Sequence, residues 1–212
     1  MPATNRLVQA AIHRFRRRRM RRFERFFSLT PSTRVLDVGG TPANWEFTNV
    51  HPRLTILNTP RAKEAAPPDV VWVSGDGRSL PFPDHSFDIV FSNSVIEHVG
   101  DLAAQRAFAQ EVARVGIHYW VQTPNRRFPL ELHLLTPFVH YLPRSWQRRV
   151  IPRFNVWQLL TRPRPDERDY YISHFLNEVR LLDAAAVRAL FPGARLLRER
   201  LLGLTKALIA AR

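Results

Sequence analysis

The sequence predicts an α/β protein with a doubly wound, mostly parallel sheet. Short apolar runs typical of buried strands alternate with helical periodicity or with turn residues. The first of these runs ends in an acid and a glycine pair, Asp37 and Gly39-Gly40. A strand that leads through a glycine turn into a helix brings backbone N–H groups and a helix N-terminus together, and doubly wound sheets bind ligands at such a place.

The composition restricts the classes of protein that the chain can represent. Its 212 residues and 45% hydrophobic content predict one domain with a sizeable core. The absence of cysteine excludes disulfides, thiolate zinc sites and a cysteine nucleophile. No apolar run approaches the roughly 18 residues of a membrane span, and no signal-peptide core is seen. We therefore expect a cytoplasmic protein, either free or attached peripherally at the inner face of the membrane.

Positive charge is concentrated in two segments. The net charge is +14, and residues 1–27 contain nine Arg against the single acid Glu24. Residues 126–168 contain nine Arg against three acids, whereas residues 28–125 contain seven basic and ten acidic groups. The positive excess therefore lies outside the half of the chain that carries the glycine turn.

The first basic segment predicts a helix over residues 5–27, which we assign to a basic N-terminal unit of residues 1–30. Apolar side chains recur at helical spacing, with Arg19 interrupting the stripe: Val8, Ile12, Phe15, Phe23 and Phe26. The helix could pack on the sheet, lie on an anionic membrane surface, or contact nucleic acid. A mitochondrial transit peptide is a further alternative.

The remaining elements follow in order along residues 31–212, which we assign to one domain. Apolar runs predict strands at residues 35–38, 54–57, 70–73, 89–91 and 118–122. Helical segments are predicted at residues 43–49, at 101–115, where Asp101 is a suitable N-cap and Gly116 a stop, and near 183–190. Alternating segments at 195–200 and 206–211 predict a closing antiparallel hairpin.

The glycine turn and the segment after the third strand indicate what kind of ligand the chain binds. Neither the dinucleotide fingerprint nor the phosphate loop is present, so the glycine turn suits a ligand without phosphate. Asp76 lies between Gly75 and Gly77 at the end of the third strand, where a carboxylate can accept hydrogen bonds. The run LPFPDHSFD at residues 80–88 then leads into the fourth strand.

Together these features resemble the class I S-adenosylmethionine-dependent methyltransferases, in particular the small type 11 group, over residues 34–124. Thr41 and Ala43 stand where the family has its second and third glycines. The resemblance implies a seven-stranded Rossmann-like sheet, S-adenosylmethionine as cofactor, and transfer of its methyl group to an O or N atom. Alternatives are an RNA methyltransferase, or a non-catalytic relative that binds a membrane or a partner.

The same resemblance implies the cofactor-binding residues. In the family, an acid after strand two binds the ribose hydroxyls, and Asn58 takes that position here as a neutral acceptor. The family's acid after strand three binds the adenine amino group, and the end of strand four faces the methionine ammonium. The implied residues are Asp37, Gly39, Gly40, Thr41, Asn58, Asp76, Gly77, Ser92 and Asn93.

Candidate catalytic residues lie in two places. Glu97-His98 matches a pair common in the family, and some quinone O-methyltransferases add an acid three residues earlier and bind a metal. Ser94 takes that position here, so we predict no metal site. Glu131 and His133 follow strand five, and His133 is the preferred base, followed by His98.

Residues 126–177 predict a helical insert after strand five that acts as a lid and substrate-binding segment. Aromatic and leucine side chains alternate there with arginines, and prolines divide the segment into short pieces. An ordinary surface loop is the simpler alternative. The aromatic content and the two basic segments favour a small, amphipathic or lipid-linked acceptor.

Overall fold

The computed structural model describes residues 3–59 and 69–212, with side chains in the first helix from residue 13 onward. The strands are β1 (Arg34–Val38), β2 (Arg53–Asn58), β3 (Val71–Ser74), β4 (Phe87–Asn93), β5 (Gly116–Pro124), β6 (Leu130–Glu131), β7 (Thr136–Pro137), β8 (Arg195–Leu201) and β9 (Leu204–Ala211). The α-helices are α1 (Ala3–Phe27), α2 (Leu102–Val115), α3 (Arg144–Val150), α4 (Val156–Thr161), α5 (Pro165–Glu178) and α6 (Ala184–Leu190). Short 3₁₀ helices span Pro42–Phe47, Ile96–His98 and Val139–Tyr141.

Seven strands form the central sheet in the order β3-β2-β1-β4-β5-β9-β8. The first five are parallel, and β9 pairs antiparallel with both β5 and β8. The predicted doubly wound, mostly parallel sheet with a closing hairpin is therefore confirmed. The strand order reverses between β1 and β4, so the crevice outside their carboxyl ends is the expected ligand site.

Side chains of alternate residues pack on opposite faces of the sheet, as the two-residue period of a strand requires. On β1, Val35 joins a cluster that includes Met20 and Phe23 of α1. Leu36 and Val38 join the other cluster, which α2 and α6 complete. The sheet is thus covered on both faces, which explains why its central strands consist largely of apolar residues.

The C-terminal half of α1 belongs to the core. Met20 is 2% exposed, and Phe23 is fully buried against the rings of Trp45, Phe91 and Trp120. Arg19, which interrupts the apolar stripe, is also buried, and it pairs with Glu199 of β8. The side chains of Val8 and Ile12 lie outside the described residues.

Local sequence signals account for the helix ends. The Asp101 carboxylate accepts a hydrogen bond from the backbone N–H of Ala104, and the Asp183 carboxylate accepts from Ala185 and Ala186. Each carboxylate satisfies N–H groups that have no partner within the helix. Gly116 ends α2 and begins β5, as its position in the sequence predicts. No helix in the described ranges is long and apolar enough to cross a bilayer.

The insert after β5 folds around a small core of its own. It begins with the two-stranded β6–β7 ribbon and continues through α3, α4 and α5. Its buried side chains are Leu134, Val139, Ile151, Ile172, Phe175, Leu176 and Val179. The segment is therefore a packed substructure and not an irregular surface loop, which positions α5 firmly beside the sheet edge.

Replacing Phe23 with Ala should destabilise the protein by about 3–5 kcal/mol, because a fully buried aromatic ring leaves a cavity when it is removed. Urea unfolding followed by tryptophan fluorescence measures this change. Arg17→Ala, on the exposed face of the same helix, should stay within about 0.5 kcal/mol of the parent. Equal stability of the Phe23 variant and the parent would show that α1 contributes little to the fold.

Candidate active site

A cavity of about 910 Å³ opens at the carboxyl ends of β1 to β4, a size typical of small-molecule sites. The loops after these strands form its floor and sides, and α5 forms the remaining wall. Its lining residues are Val38, Gly39, Leu57, Asn58, Thr59, Gly75, Asp76, Gly77, Arg78, Ser94, Val95, His98, Val99, Gly100, Phe108, Tyr170, His174, Asn177 and Glu178. Of the predicted site residues, Gly39, Asn58, Asp76, Gly77 and His98 border the cavity.

The turn after β1 requires glycine at two positions. Gly39 has a φ of +75°, and a Cβ there would lie 2.6 Å from Val95. A Cβ on Gly40 would lie 1.8 Å from the carboxylate of Asp37. The backbone of this turn can therefore approach its neighbours closely, and Gly39 leaves its part of the cavity wall free of a side chain.

Asp37 itself lies behind the turn and not in the cavity wall. Its side chain is fully buried on the α1 face of the sheet, where Oδ2 accepts a 2.8 Å hydrogen bond from the indole N–H of Trp45. Oδ1 has no partner among the described residues. Burial raises the pKa of Asp37 to about 7, although the Trp45 hydrogen bond opposes this shift.

Asn58 and Asp76 end β2 and follow β3 along the same side of the cavity. Asn58 Nδ2 donates to the carbonyl of Gly40 at 2.9 Å, and its Oδ1 accepts from the N–H of Thr59. The Asp76 carboxylate is paired with Arg78, with a shortest contact of 2.6 Å. Hydrogen bonding from Arg78 lowers the pKa of Asp76, so this carboxylate is ionised, and both of its oxygens accept from Arg78.

The predicted cofactor residues Thr41, Ser92 and Asn93 do not line the cavity. Ser92 Oγ donates to the carbonyl of Val38, which joins β4 to β1 behind the glycine turn. Asn93 Oδ1 accepts a hydrogen bond from Arg19 on the α1 face. Thr41 begins the 3₁₀ helix, with no side-chain capping bond.

A row of polar side chains in contact extends from the insert to the cavity. Glu131 is buried, and its Oε1 lies 2.6 Å from His133 Nδ1. His133 Nε2 lies 3.2 Å from His98 Nε2, and His98 Nδ1 lies 3.2 Å from His174 Nε2. His174 Nδ1 in turn lies 2.9 Å from Glu178 Oε2. His98 and His174 face the cavity, whereas His133 and Glu131 lie behind His98.

Burial and neighbouring charges shift the pKa values of these side chains in different directions. Burial, with the charges of the two neighbouring histidines, lowers the pKa of His98 to about 4. Burial also depresses the pKa of His133, but the hydrogen bond and charge of Glu131 outweigh it, so the net shift is upward. Glu97 lies beside them, fully buried, and desolvation raises its pKa to about 7.

Sequence reasoning did not identify the residues that α5 contributes. Tyr170, His174 and Glu178 recur at intervals of four and Asn177 lies three residues after His174, so all four share one helical face. That spacing is visible in the sequence, although it does not reveal what the face contacts. Ser94 also lines the cavity, and its Oγ donates to the side-chain oxygen of Gln122.

The sheet order and the position of the cavity are those of a class I methyltransferase fold. Residues 33–118 match the family model described as a methyltransferase domain. Residues 33–118 are therefore similar to this methyltransferase family.

One curated relative is the 2-methyl-6-phytyl-1,4-hydroquinone methyltransferase of Synechocystis, 35% identical over 120 residues. That match covers 49% of this chain and 37% of the relative, so the chain spans well under two thirds of the relative's length.

Solved structures agree with the fold assignment. Magnesium protoporphyrin IX methyltransferase from Synechocystis, with bound SAH, is 12% identical with a TM-score of 0.57, covering 100% of this chain and 88% of that one. A Rhodobacter sphaeroides structure described as a putative zinc-dependent alcohol dehydrogenase is 15% identical with a TM-score of 0.56, covering 86% and 84%. At such identities the likeness concerns the fold alone.

The raised pKa of Asp37 predicts a specific pH dependence of stability. Because the folded pKa of about 7 lies above the unfolded value, the contribution of Asp37 is complete below about pH 4 and is lost as the pH rises through 7. The difference in unfolding free energy between the parent and Asp37→Asn should therefore fall by about 1–4 kcal/mol over this interval. Urea unfolding at several pH values measures it.

Asp88→Asn is the matched control, since the hydrogen bond from Arg34 lowers the pKa of Asp88. Its contribution should be constant above about pH 4, because a lowered pKa affects stability only below the unfolded value. A flat difference for the Asp37 variant as well would show that Asp37 is ionised in the folded protein throughout this range.

Proposed function

We propose that the protein transfers the methyl group of S-adenosylmethionine to an O or N atom of a small amphipathic acceptor. The observation that carries this proposal is the cavity at the carboxyl ends of β1 to β4. Two hydrogen-bond acceptors border this cavity, Asn58 at the end of β2 and Asp76 after β3. The imidazole of His98 borders it after β4. Methyl transfer requires mainly alignment of the nucleophile, the methyl carbon and the sulfonium.

The cofactor would lie across the glycine turn. Gly39 allows close approach of the backbone, and Asp76 can accept hydrogen bonds from the adenine amino group. The Asn58 side chain already binds Gly40 and Thr59, so it would offer the ribose only the remaining acceptor capacity of Oδ1. Arg78 would have to release at least one oxygen of Asp76 when adenine binds.

The acceptor would enter beside α5, at the end of the cavity that His98 borders. Several large apolar side chains of the insert are exposed, and these suit an amphipathic molecule: Phe138, Tyr141, Trp146, Phe154, Leu159, Leu160 and Tyr170. The name of the Synechocystis relative describes a hydroquinone carrying a phytyl group, which is an acceptor of this general kind.

The roles of the three candidate catalytic residues differ by position. His98 borders the cavity and is the one that can contact the acceptor, while His133 and Glu131 act through it. A base is required only if the acceptor's proton is tightly held. His133, preferred from sequence alone, is thus proposed as a positioning residue in the metal-free protein.

S-adenosylmethionine should bind with micromolar affinity, about −8 kcal/mol. Asp76→Ala should weaken binding by about 1–3 kcal/mol through loss of the adenine hydrogen bond. Calorimetric titration measures both values. Arg78→Ala is the control, because it frees the Asp76 carboxylate and should not weaken binding. No heat with the parent protein, for either the cofactor or its demethylated product, would refute the proposed activity.

We further propose peripheral attachment to an anionic membrane through a basic groove between α1 and β8. The groove, of about 760 Å³, is lined by six arginines besides Arg19: Arg18, Arg22, Arg25, Arg195, Arg198 and Arg200. None of the six forms an ion pair within the described ranges, and Glu199 in the same groove is already paired with Arg19 and Lys206. Six neighbouring guanidinium groups would bind phosphate-bearing head groups.

Charge substitution tests the membrane proposal better than truncation, because removing residues 1–27 would also remove Met20 and Phe23 from the core. Arg18→Gln/Arg22→Gln should reduce sedimentation with anionic vesicles several-fold. Arg106→Gln/Arg188→Gln, with the same charge change on α2 and α6, should not reduce it. Salt should release the parent protein, since exposed charges are screened over about 10 Å at 0.1 M.

Vesicle binding that is equal in both double variants would refute a role for the groove. Retention of the parent protein on RNA without vesicle binding would favour the alternative of an RNA methyltransferase, because guanidinium groups also bind nucleic-acid phosphates.

A further inference from the structure

We propose that Glu97, His98 and His133 form a binding site for one divalent transition-metal ion. Their potential ligand atoms all lie within 4.8 Å of one another. Glu97 and His98 belong to the 3₁₀ helix after β4, and His133 reaches them from the insert. Near Glu97 the sequence offers two ligands, whereas the third, His133, lies 35 residues after His98, and only the fold brings it to the site.

The spacing of the two imidazoles suits a metal ion. Their Nε2 atoms are 3.2 Å apart. Two nitrogens bound to one ion at about 2.0–2.1 Å with a tetrahedral angle lie about 3.3 Å apart. The two rings could therefore share an ion with little movement.

The hydrogen bonds on the far side of each ring favour the same conclusion. A carboxylate oxygen accepts, so the favoured tautomers have His133 Nδ1 donating to Glu131 and His174 Nδ1 donating to Glu178. A neutral His174 then accepts at Nε2 from His98 Nδ1. In this arrangement both Nε2 atoms direct lone pairs towards each other. Such a pair requires a proton or a cation between them. Carboxylates that fix the tautomer of a ligating histidine in this way are typical of metal sites.

Glu97 supplies an independent observation. Its side chain is fully buried, and its Oε2 accepts a 3.0 Å hydrogen bond from Thr123. Its Oε1 has no partner among the described residues. Glu131, 1% exposed, places a second carboxylate nearby. Buried carboxylates are normally paired or bound to metal, so a divalent cation would satisfy Glu97 and balance the charge of both acids.

The ligand set indicates the kind of ion. Two imidazoles and one carboxylate suit zinc, iron(II) or cobalt(II) better than magnesium or calcium, which prefer oxygen ligands. Three protein ligands leave a coordination position of the ion open. Because His98 borders the cavity, this open position would lie beside the cavity. If the proposed methyl transfer is correct, an acceptor oxygen could take this position, where the ion would stabilise its deprotonated form.

Metal binding can be measured without cofactor or acceptor. The 212-residue protein, freed of metal with a chelator, is titrated with zinc by calorimetry and with cobalt(II) by visible absorption. We expect one ion per chain and a cobalt spectrum of nitrogen and oxygen ligands. Glu97→Gln, His98→Ala and His133→Ala should each abolish tight binding, and Glu131→Gln should weaken it by about 10–100-fold. His51→Ala removes an exposed histidine outside the cluster and should change nothing.

Absence of stoichiometric binding by the parent protein would overturn the proposal, whether or not any variant folds. Binding that His98→Ala and His133→Ala leave unchanged, with circular dichroism showing both variants folded, would also overturn it. Titration of the metal-free protein with S-adenosylmethionine tests the proposed activity separately, so the failure of one proposal can be told from the failure of the other.

Discussion

The position of the insert depends on buried polar contacts that join it to the sheet edge. His133 of the insert contacts His98, and the N–H of Arg180 donates to the carbonyl of Glu97 at 2.7 Å. These contacts connect a substructure with its own apolar core to the 3₁₀ helix after β4. Because apolar packing alone is non-directional, hydrogen bonds of defined geometry fix where α5 lies over the cavity.

The glycine turn connects the cavity to the opposite face of the sheet. Gly40 has no room for a side chain because the Asp37 carboxylate lies against it. The indole N–H of Trp45 donates a hydrogen bond to that carboxylate. Trp45 in turn packs edge-on against Phe23 of α1. The loop that lacks the family's second and third glycines is therefore supported by an indole ring, and the first helix contributes to the shape of the turn.

Local patterns predict the strands, the Asp101 cap and the closing hairpin, because each depends on neighbouring residues. The two-residue period of β4 would also have placed Asn93 on the α1 face with Phe91, away from the cavity. Arg19 and His133 could not be interpreted in this way. Their partners lie 180 and 35 residues away in the sequence, and only the folded topology brings them together.

The ion pair between Arg19 and Glu199 has a consequence for how the chain folds. It joins the first helix to the β8–β9 hairpin across 180 residues. During synthesis, α1 therefore emerges long before the strand that neutralises its buried guanidinium. Contacts of such sequence separation form slowly, because loop closure precedes any gain from packing. Phe23 can pack on Trp45, Phe91 and Trp120 before the hairpin is made, but the Arg19 guanidinium has no carboxylate partner until β8 arrives. Ribosome-bound intermediates of this protein should therefore be substrates for chaperones.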